Sequence, residues 1–391
     1  MTGKNYQLAA WSSALIAALV GFGGTVALIV QAMQALGADA AATGSAVTAL
    51  CLGIGLFGGF FSWRLRMPIV LAWSTPGAAL LAATTASGPA AIVWPTAVGA
   101  FVVAALLMMA LGAVPALGRL AERIPSSVAA AMLAGVLLPF CLALFRTLQS
   151  DALLVVLLLV MFLIGRQRFP LYAMLMVLVA GVALVLLRGD VRALPPGAAL
   201  GTLAFTRPVF SPAALVSLAV PLFLVTLVSQ NLPGLVVLRT AGFDAPPRPL
   251  LFGTGLATLL MAPFGAHGVN LAAITAAICT NEEAHPVKER RWTVGLIYAF
   301  LYLLLALFAP PLVRLFLAMP HASIAALTGI ALIAPLTGAI DSMMAKPGDR
   351  DAAILTFAAT ASGVALFGIG SAFWGLLVGF AALGAKALFA R

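Results

Sequence analysis

Charged residues are scarce in this sequence. They make up 8% of the 391 residues, against the roughly 25% that is usual in soluble domains. A chain with so few charges cannot cover a surface that faces water. The composition therefore excludes a soluble globular protein and predicts a protein that uses lipid as its solvent.

Cysteine is also rare, and its three positions exclude a disulfide framework. Cys51, Cys141 and Cys279 each lie inside an apolar run, which predicts small buried residues rather than a metal site. We expect no metal and no cofactor.

The formal net charge of +10 would on its own suggest nucleic-acid binding. The basic residues, however, stand singly between apolar runs, so we expect no nucleic acid and attribute the charge to membrane orientation.

Long hydrophobic runs are what the sequence has in quantity. Hydrophobic residues make up 63% of the chain, and the runs are continuous, which favours helices over the alternating strands of a membrane barrel. The predicted fold class is an all-α polytopic membrane protein with fourteen spans. The predicted spans are 8–33, 40–62, 67–86, 90–117, 126–147, 151–165, 170–188, 212–238, 248–264, 265–281, 292–317, 322–344, 351–368 and 371–388.

The distribution of basic residues supports this topology. With the N-terminus in the cytoplasm, 16 of the 21 Lys and Arg residues fall on the cytoplasmic side, as the positive-inside rule requires. An even number of spans places both termini in the cytoplasm. The polar stretch 188–211 divides the spans into two sevens, and an odd-numbered unit repeated once must be inverted. We therefore predict inverted repeats at 1–188 and 212–391, with the transport site where they meet.

Two of the predicted spans are interrupted by helix breakers. In 67–86, the β-branched and aromatic residues 69–73 precede Ser74, Thr75, Pro76 and Gly77, a combination that favours the start of a helix. In 265–281, Gly265 and Gly268 break the helix, Asn270 can cap, and 271–278 is expected to be helical. Each span is predicted to be a short strand followed by a half-helix that begins in mid-membrane.

Paired half-helices suggest how an anion could bind. A helix start leaves backbone N–H groups free and carries partial positive charge, so two facing starts bind an anion without Lys or Arg. All eleven acidic residues fall at span ends or in loops, which argues against a cation site. A packed kink is the alternative interpretation. The predicted carboxylate-binding residues are Ser74, Thr75, Gly77, Gly268 and Asn270, with Gln230 and Asn231 as hydrogen-bond donors.

Three further predictions concern side chains near these motifs. Gln230 and Asn231 are costly in lipid, so they either face the site or bond between helices. Phe22, Trp73 and Phe264 are candidates for an apolar wall against an aromatic ring, with core packing as the alternative. His267 is the histidine nearest the predicted site and is the candidate for proton coupling, with a histidine wedged in a turn as the alternative.

Four stretches of the sequence resemble the benzoate/proton symporter family (BenE type). They are 21-GFGGTVALIVQA-32, 71-LAWSTPGAALLAA-83, 229-SQNLPGLVVLR-239 and 264-FGAHGVNLAAITAAIC-279, and the resemblance runs over nearly the whole chain. It implies uptake of benzoate or a related aromatic carboxylate, together with protons, across a bacterial inner membrane.

More distantly, the sequence is similar to nucleobase permeases of the uracil-permease type. That resemblance implies two domains, a core over 8–117 and 212–317 and a gate over 126–188 and 322–388. Such carriers typically use acids on spans 8 and 10, where this chain has Gln230 and Val269. A carboxylate there would repel the substrate's own carboxylate. Without acids at these two positions, the proton carrier is either His267 or the substrate itself.

Other functions are compatible with the same features. A carrier of nucleobases or other small organic anions with this fold is the main alternative, and an anion channel is another. The spans contain no nucleophile–base pair or metal cluster that would indicate a membrane enzyme. The expected partners are a small aromatic carboxylate, protons and the bilayer, and a homodimer is left open.

Overall fold

The computed structural model describes residues 3–84, 92–115, 125–367 and 369–389. Eight helices in this part of the chain are long and apolar enough to cross a membrane. The protein is therefore an all-α multi-pass membrane protein. The helices are α1 Gly3–Gly23, α2 Val26–Ala35, α3 Ala40–Leu65, α4 Thr75–Thr84, α5 Trp94–Ala113, α6 Ser126–Arg146, α7 Ala152–Arg168, α8 Ala173–Arg188, α9 Pro212–Thr240, α10 Pro247–Met261, α11 Ile274–Thr280, α12 Trp292–Ala318, α13 His321–Ala331, α14 Ile333–Met344, α15 Arg350–Ala361 and α16 Ser371–Phe389.

Acidic residues begin some of these helices. The Asp39 carboxylate accepts from the N–H of Ala42 at 2.7 Å and caps α3. Asp151 caps α7 in the same way and also pairs with Arg188, at the end of α8, at 2.8 Å. Asp39 and Asp151 therefore stabilise helix ends, which agrees with the prediction that acidic residues fall at span ends or in loops.

The long helix α9 contains two π-helical segments, each shortly before a proline. Leu215–Ala219 precedes Pro221, and Leu227–Asn231 precedes Pro233. A proline has no N–H to donate to the preceding turn, and a π-bulge accommodates the missing bond. The second segment places Asn231 on the buried side of the helix.

Several predicted spans differ from the helices observed. The first span is two helices, α1 and α2, and span 322–344 is divided at Leu332 into α13 and α14. Helix α15 ends at Ala361, short of the predicted 368. The predicted ends of spans 67–86 and 90–117 lie outside the described residues.

Helix α3 packs closely on α12 through glycine. A Cβ at Gly55 would lie 2.9 Å from the carbonyl oxygen of Ala299 on α12. Only a residue without a side chain permits this approach of the two backbones. Gly53, also on α3, gives room to a different neighbour: a Cβ there would lie 2.8 Å from the side chain of Val269.

The segment 190–211, which joins α8 to α9, has no regular secondary structure and is hydrogen-bonded to its neighbours at several points. Gly201 donates to the carbonyl of Leu307 at 2.7 Å, and Val209 donates to that of Pro95 at 3.0 Å. A Cβ at Gly99 would lie 2.1 Å from the carbonyl oxygen of Val209, so the segment lies directly on α5. We refer to 190–211 as the connector.

Candidate functional site

Two short strands meet in the middle of the bundle. Strand β1, Leu71–Trp73, pairs antiparallel with strand β2, Val269–Leu271, so that Ala72 lies opposite Asn270. Each strand leads into a half-helix, β1 into α4 and β2 into α11. We call residues 71–77 and 265–274 the crossing.

The first half-helix begins where the sequence predicts. Ser74 is buried, and its Oγ accepts from the N–H of Gly77 at 2.9 Å, so it caps α4. Thr75 is half-buried. A Cβ at Gly77 would lie 2.9 Å from Leu222 of α9, which keeps the helix start close to α9.

The second half-helix begins later than predicted. The predicted helix over 271–278 is present but starts at Ile274, so its predicted start at 271 and the capping role of Asn270, which lies in β2, are wrong. The N–H of Ala272 donates to the carbonyl of Val70 at 3.0 Å, so strand pairing continues past Leu271. A residue in the strand ladder cannot adopt helical geometry, and the helix is delayed.

His267 joins the two broken helices. Its Nε2 lies 3.1 Å from the carbonyl oxygen of Ser74. A carbonyl only accepts, so Nε2 carries the proton in this bond. The residue is buried with 1% of its surface exposed, and the centroids of the Phe101 and His267 rings lie 6.3 Å apart at an interplanar angle of 66°. Its Nδ1 has no hydrogen-bond partner in the described part of the chain.

Asn231 of α9 bonds to the second strand. Its Nδ2 donates to Asn270 Oδ1 at 3.0 Å and to the carbonyl of Thr226 at 3.2 Å. Its Oδ1 accepts from the N–H of Leu271 at 3.0 Å. Both asparagines are buried, and Asn270 Nδ2 has no partner among the described residues.

Hydroxyl groups hold the strands from outside. Thr258 of α10 accepts from the N–H of Val269 at 2.9 Å, and Tyr298 of α12 donates to the carbonyl of Leu71 at 3.1 Å. Strand edges in a membrane need such partners, because unsatisfied backbone groups are costly there. These bonds anchor the crossing to α10 and α12.

Aromatic rings line the α1 side of β1. The Phe22 and Trp73 rings lie 5.3 Å apart at 47°, and the ring of Tyr302 lies 6.1 Å from Trp73. The Trp73 indole donates to the hydroxyl of Thr25, which itself donates to the carbonyl of Gly21 at 2.9 Å. Phe22 and Trp73 are thus brought together next to the start of α4.

Two predicted residues are not brought into this set of contacts. Phe264 lies on a short 3-10 turn and packs its ring against Phe205 of the connector, 6.1 Å away. Gln230 is half-buried, and its neighbour Asn231, not Gln230 itself, forms the bonds to β2. Gly268, in contrast, does lie next to Asn270: a Cβ added at Gly268 would lie 3.0 Å from Asn270 Nδ2.

The sequence prediction missed three residues that form hydrogen bonds to the two strands. They are Thr25, Thr258 and Tyr298. Thr25 follows the helix breakers Gly23 and Gly24, a signal that sequence reasoning could have used. Tyr298 and Tyr302 are two of four tyrosines in the chain and are spaced for one face of a helix. Thr258 carries no comparable signal, because its partner is a backbone N–H eleven residues away.

Two strand-and-half-helix units that cross inside a bundle of apolar helices define a membrane transport protein. The chain belongs to the family described as BenE, benzoate membrane transport protein, whose model matches residues 4–385. This is a family of transport proteins and not of enzymes.

Two curated relatives cover almost the whole chain. An inner membrane protein of Escherichia coli, YdcO, is 39% identical over 93% of this chain and 92% of its own. The benzoate membrane transport protein of Acinetobacter baylyi is 34% identical over 97% of this chain and 95% of its own.

Solved structures show the same fold at low sequence identity. The transmembrane domain of a cyanobacterial bicarbonate transporter, BicA, superposes with a TM-score of 0.62 at 17% identity, covering 97% of this chain and 98% of that one. A murine anion transporter of the solute carrier 26 family, in the inward-facing state, gives 0.63 at 13% identity, over 100% of this chain and 69% of that one.

Proposed function

We propose that this protein takes up benzoate, or a related aromatic carboxylate, together with protons across a bacterial inner membrane. Membership of the benzoate membrane transport family supports the substrate, and the Escherichia coli relative supports the location. In this proposal both termini are cytoplasmic, because that orientation leaves most basic residues inside.

We further propose that the fold is a seven-plus-seven inverted repeat of fourteen spans. The strand-and-half-helix units at Leu71–Thr84 and Val269–Thr280 support it, since each is the third span of its half in the proposed count. The core then comprises 8–117 and 212–317, and the gate comprises 126–188 and 322–388. The substrate binds where the two units cross.

The carboxylate is proposed to bind between the start of α4 and the loop before β2. Ser74, Thr75 and Gly77 supply the first helix start, and Gly268 and Asn270 supply the second side. The observation that carries this proposal is the crossing itself, which is largely buried apart from Ile274 and contains no Asp, Glu, Lys or Arg in 71–77 or 265–274. Backbone and amide groups bind a carboxylate there without a competing charge.

The aromatic ring of the substrate is proposed to contact Phe22 and Trp73. Their rings are buried and adjacent, and an edge-to-face contact with a third ring suits such a pair. Gln230 is kept as a further donor because its half-buried side chain lies beside Asn231. Phe264 is a weaker candidate, since its ring packs on Phe205.

Proton coupling is proposed to use His267. With Nε2–H bonded to Ser74, Nδ1 is the atom that can take up a proton, and it lies buried at the crossing. A protonated imidazole and a bound carboxylate stabilise each other's charge. The alternative is that the substrate carries the proton on its own carboxyl group.

The proposed function is tested by uptake into proteoliposomes. Radiolabelled benzoate should accumulate when the outside is acidic relative to the inside, should saturate, and should equilibrate without accumulating when a protonophore removes the gradient. Protein-free vesicles correct for benzoic acid that crosses the lipid unaided. Flux that stays linear in benzoate and ignores the pH gradient would instead indicate a channel.

A further inference from the structure

The amide of Asn231 is oriented by backbone groups on both sides. Its Oδ1 accepts from the N–H of Leu271 at 3.0 Å, and its Nδ2 donates to the carbonyl of Thr226 at 3.2 Å. A backbone N–H only donates and a carbonyl only accepts, so turning the amide over would break both bonds. Because Asn231 is fully buried, that reversal would leave unsatisfied polar groups in an apolar interior.

The fixed amide of Asn231 in turn orients Asn270. Asn231 Nδ2 is a donor and lies 3.0 Å from Asn270, so Asn270 must present its oxygen to it. The NH2 group of Asn270 therefore points away from Asn231. Asn270 is 3% exposed, and its Nδ2 has no partner among the described residues. A buried NH2 group of this kind needs an acceptor.

The space next to this NH2 group is kept open by Gly268. A Cβ at that position would lie 3.0 Å from Asn270 Nδ2. We propose that Asn231 is a positioning residue that holds the NH2 group of Asn270 towards the substrate carboxylate. This proposal rests on the proposed function, because it assumes that a carboxylate binds at the crossing. The donor, and not the oxygen, of Asn270 then selects a carboxylate over a neutral amide.

The donor is tested with Asn270→Asp. This change replaces the free NH2 group by an oxygen and leaves an inner oxygen to accept from Asn231. Titration calorimetry on the purified full-length protein in nanodiscs should show benzoate affinity at least about tenfold weaker than wild type, the usual loss for a hydrogen bond to a charged group. Asn270→Ala should lose less than Asn270→Asp, because it adds no repulsion. Wild-type affinity in Asn270→Asp would overturn the proposal.

The positioning role is tested with Asn231→Asp. The aspartate still accepts from Leu271, loses the bond to the carbonyl of Thr226, and offers an acceptor to Asn270, which must then turn its NH2 group inward and its oxygen outward. An outward oxygen accepts from benzamide, so the affinity for benzamide should rise several-fold above wild type while that for benzoate falls. Gln31→Glu is the control, since it makes the same amide-to-acid change at a half-buried position on α2, outside the proposed site, and should not increase benzamide binding.

The outcomes separate this proposal from the proposed function. If Asn231→Asp weakens the binding of both ligands equally, or if Gln31→Glu increases benzamide binding to the same extent, Asn231 does not position Asn270. If Asn231→Asp gives no folded protein by size exclusion, Asn231→Ala replaces it: this change frees the Asn270 amide to turn, so the preference for benzoate over benzamide should fall, and an unchanged preference would overturn the positioning role. If wild-type protein does not bind benzoate at all, the proposed function fails before either variant is compared.

Discussion

His267 Nε2 lies 3.1 Å from the carbonyl oxygen of Ser74, so a histidine from one broken helix is bonded to the capping residue of the other. The bond links the proposed proton site to the proposed anion site through one peptide group. A change of charge on the ring would therefore act directly on the residue at the start of α4.

The histidine is expected to be required for coupling rather than for binding. His267→Gln keeps an NH2 donor for Ser74 but removes the titratable nitrogen. Exchange of labelled benzoate across proteoliposomes should persist, whereas accumulation driven by a pH gradient should disappear. His285→Gln is the control, because His285 is also buried but bonds to Val287 outside the crossing. Accumulation by His267→Gln at the wild-type level would favour a proton carried by the substrate.

The cap of α4 is expected to matter for both stability and affinity. Ser74→Ala removes the acceptor for Gly77, which typically costs about 0.5–2 kcal/mol, and removes a polar group from the proposed anion site. Thermal unfolding and benzoate titration should both show a loss. Ser74→Thr keeps the hydroxyl and should restore most of each. A variant Ser74→Ala that binds benzoate as wild type does would exclude Ser74 from the site.

The aromatic residues of the proposed site, Phe22 and Trp73, are expected to favour an aromatic carboxylate over an aliphatic one. Phe22→Leu should weaken benzoate binding by about twofold to tenfold, the size of one aromatic pair, and should barely change binding of butyrate. Phe316→Leu is the matched control, because Phe316 is 5% exposed and Phe22 is 6% exposed. Competition binding with both ligands checks the result. Equal losses for the two ligands in Phe22→Leu would indicate simple packing.

Glycine at the α3–α12 contact is expected to be required for stability. Gly55→Ala places a Cβ 2.7 Å from Leu303 and 2.9 Å from the carbonyl of Ala299, so it should destabilise the protein by about 1–3 kcal/mol. Gly338→Ala has nothing within 4 Å and should be neutral or slightly stabilising. Thermal unfolding in detergent measures both. Equal melting temperatures would contradict the close contact.

The sequence predicts the breaks in the helices better than the contacts across them. Ser74 and Pro76 start a helix by local chemistry, so the start of α4 is correctly placed. The start of α11 is not correctly placed, because the hydrogen bond between Val70 and Ala272 continues the strand pairing past Leu271, and those two residues are 202 positions apart in the chain.

Side-chain direction is the other part that the sequence does not determine. Gln230 and Asn231 are equally polar neighbours, and the π segment of α9 decides which of them faces β2. The ring of Phe264 is directed by a contact with Phe205, which lies on a connector without regular structure. Such contacts depend on tertiary packing and leave no periodic pattern.

The way the connector is attached determines where a hinge can lie. Helix α8 ends at Arg188, Gly189 turns with a φ of 71°, and Arg192 already donates to the carbonyl of Ala318 at 2.9 Å. Ala318 ends α12, and α13 begins at His321. The connector and the short link between α12 and α13 both join the proposed core to the proposed gate. One hydrogen bond therefore connects these two linking segments. If the two bodies rotate against each other, this point acts as a pivot, and displacement must grow with distance from it.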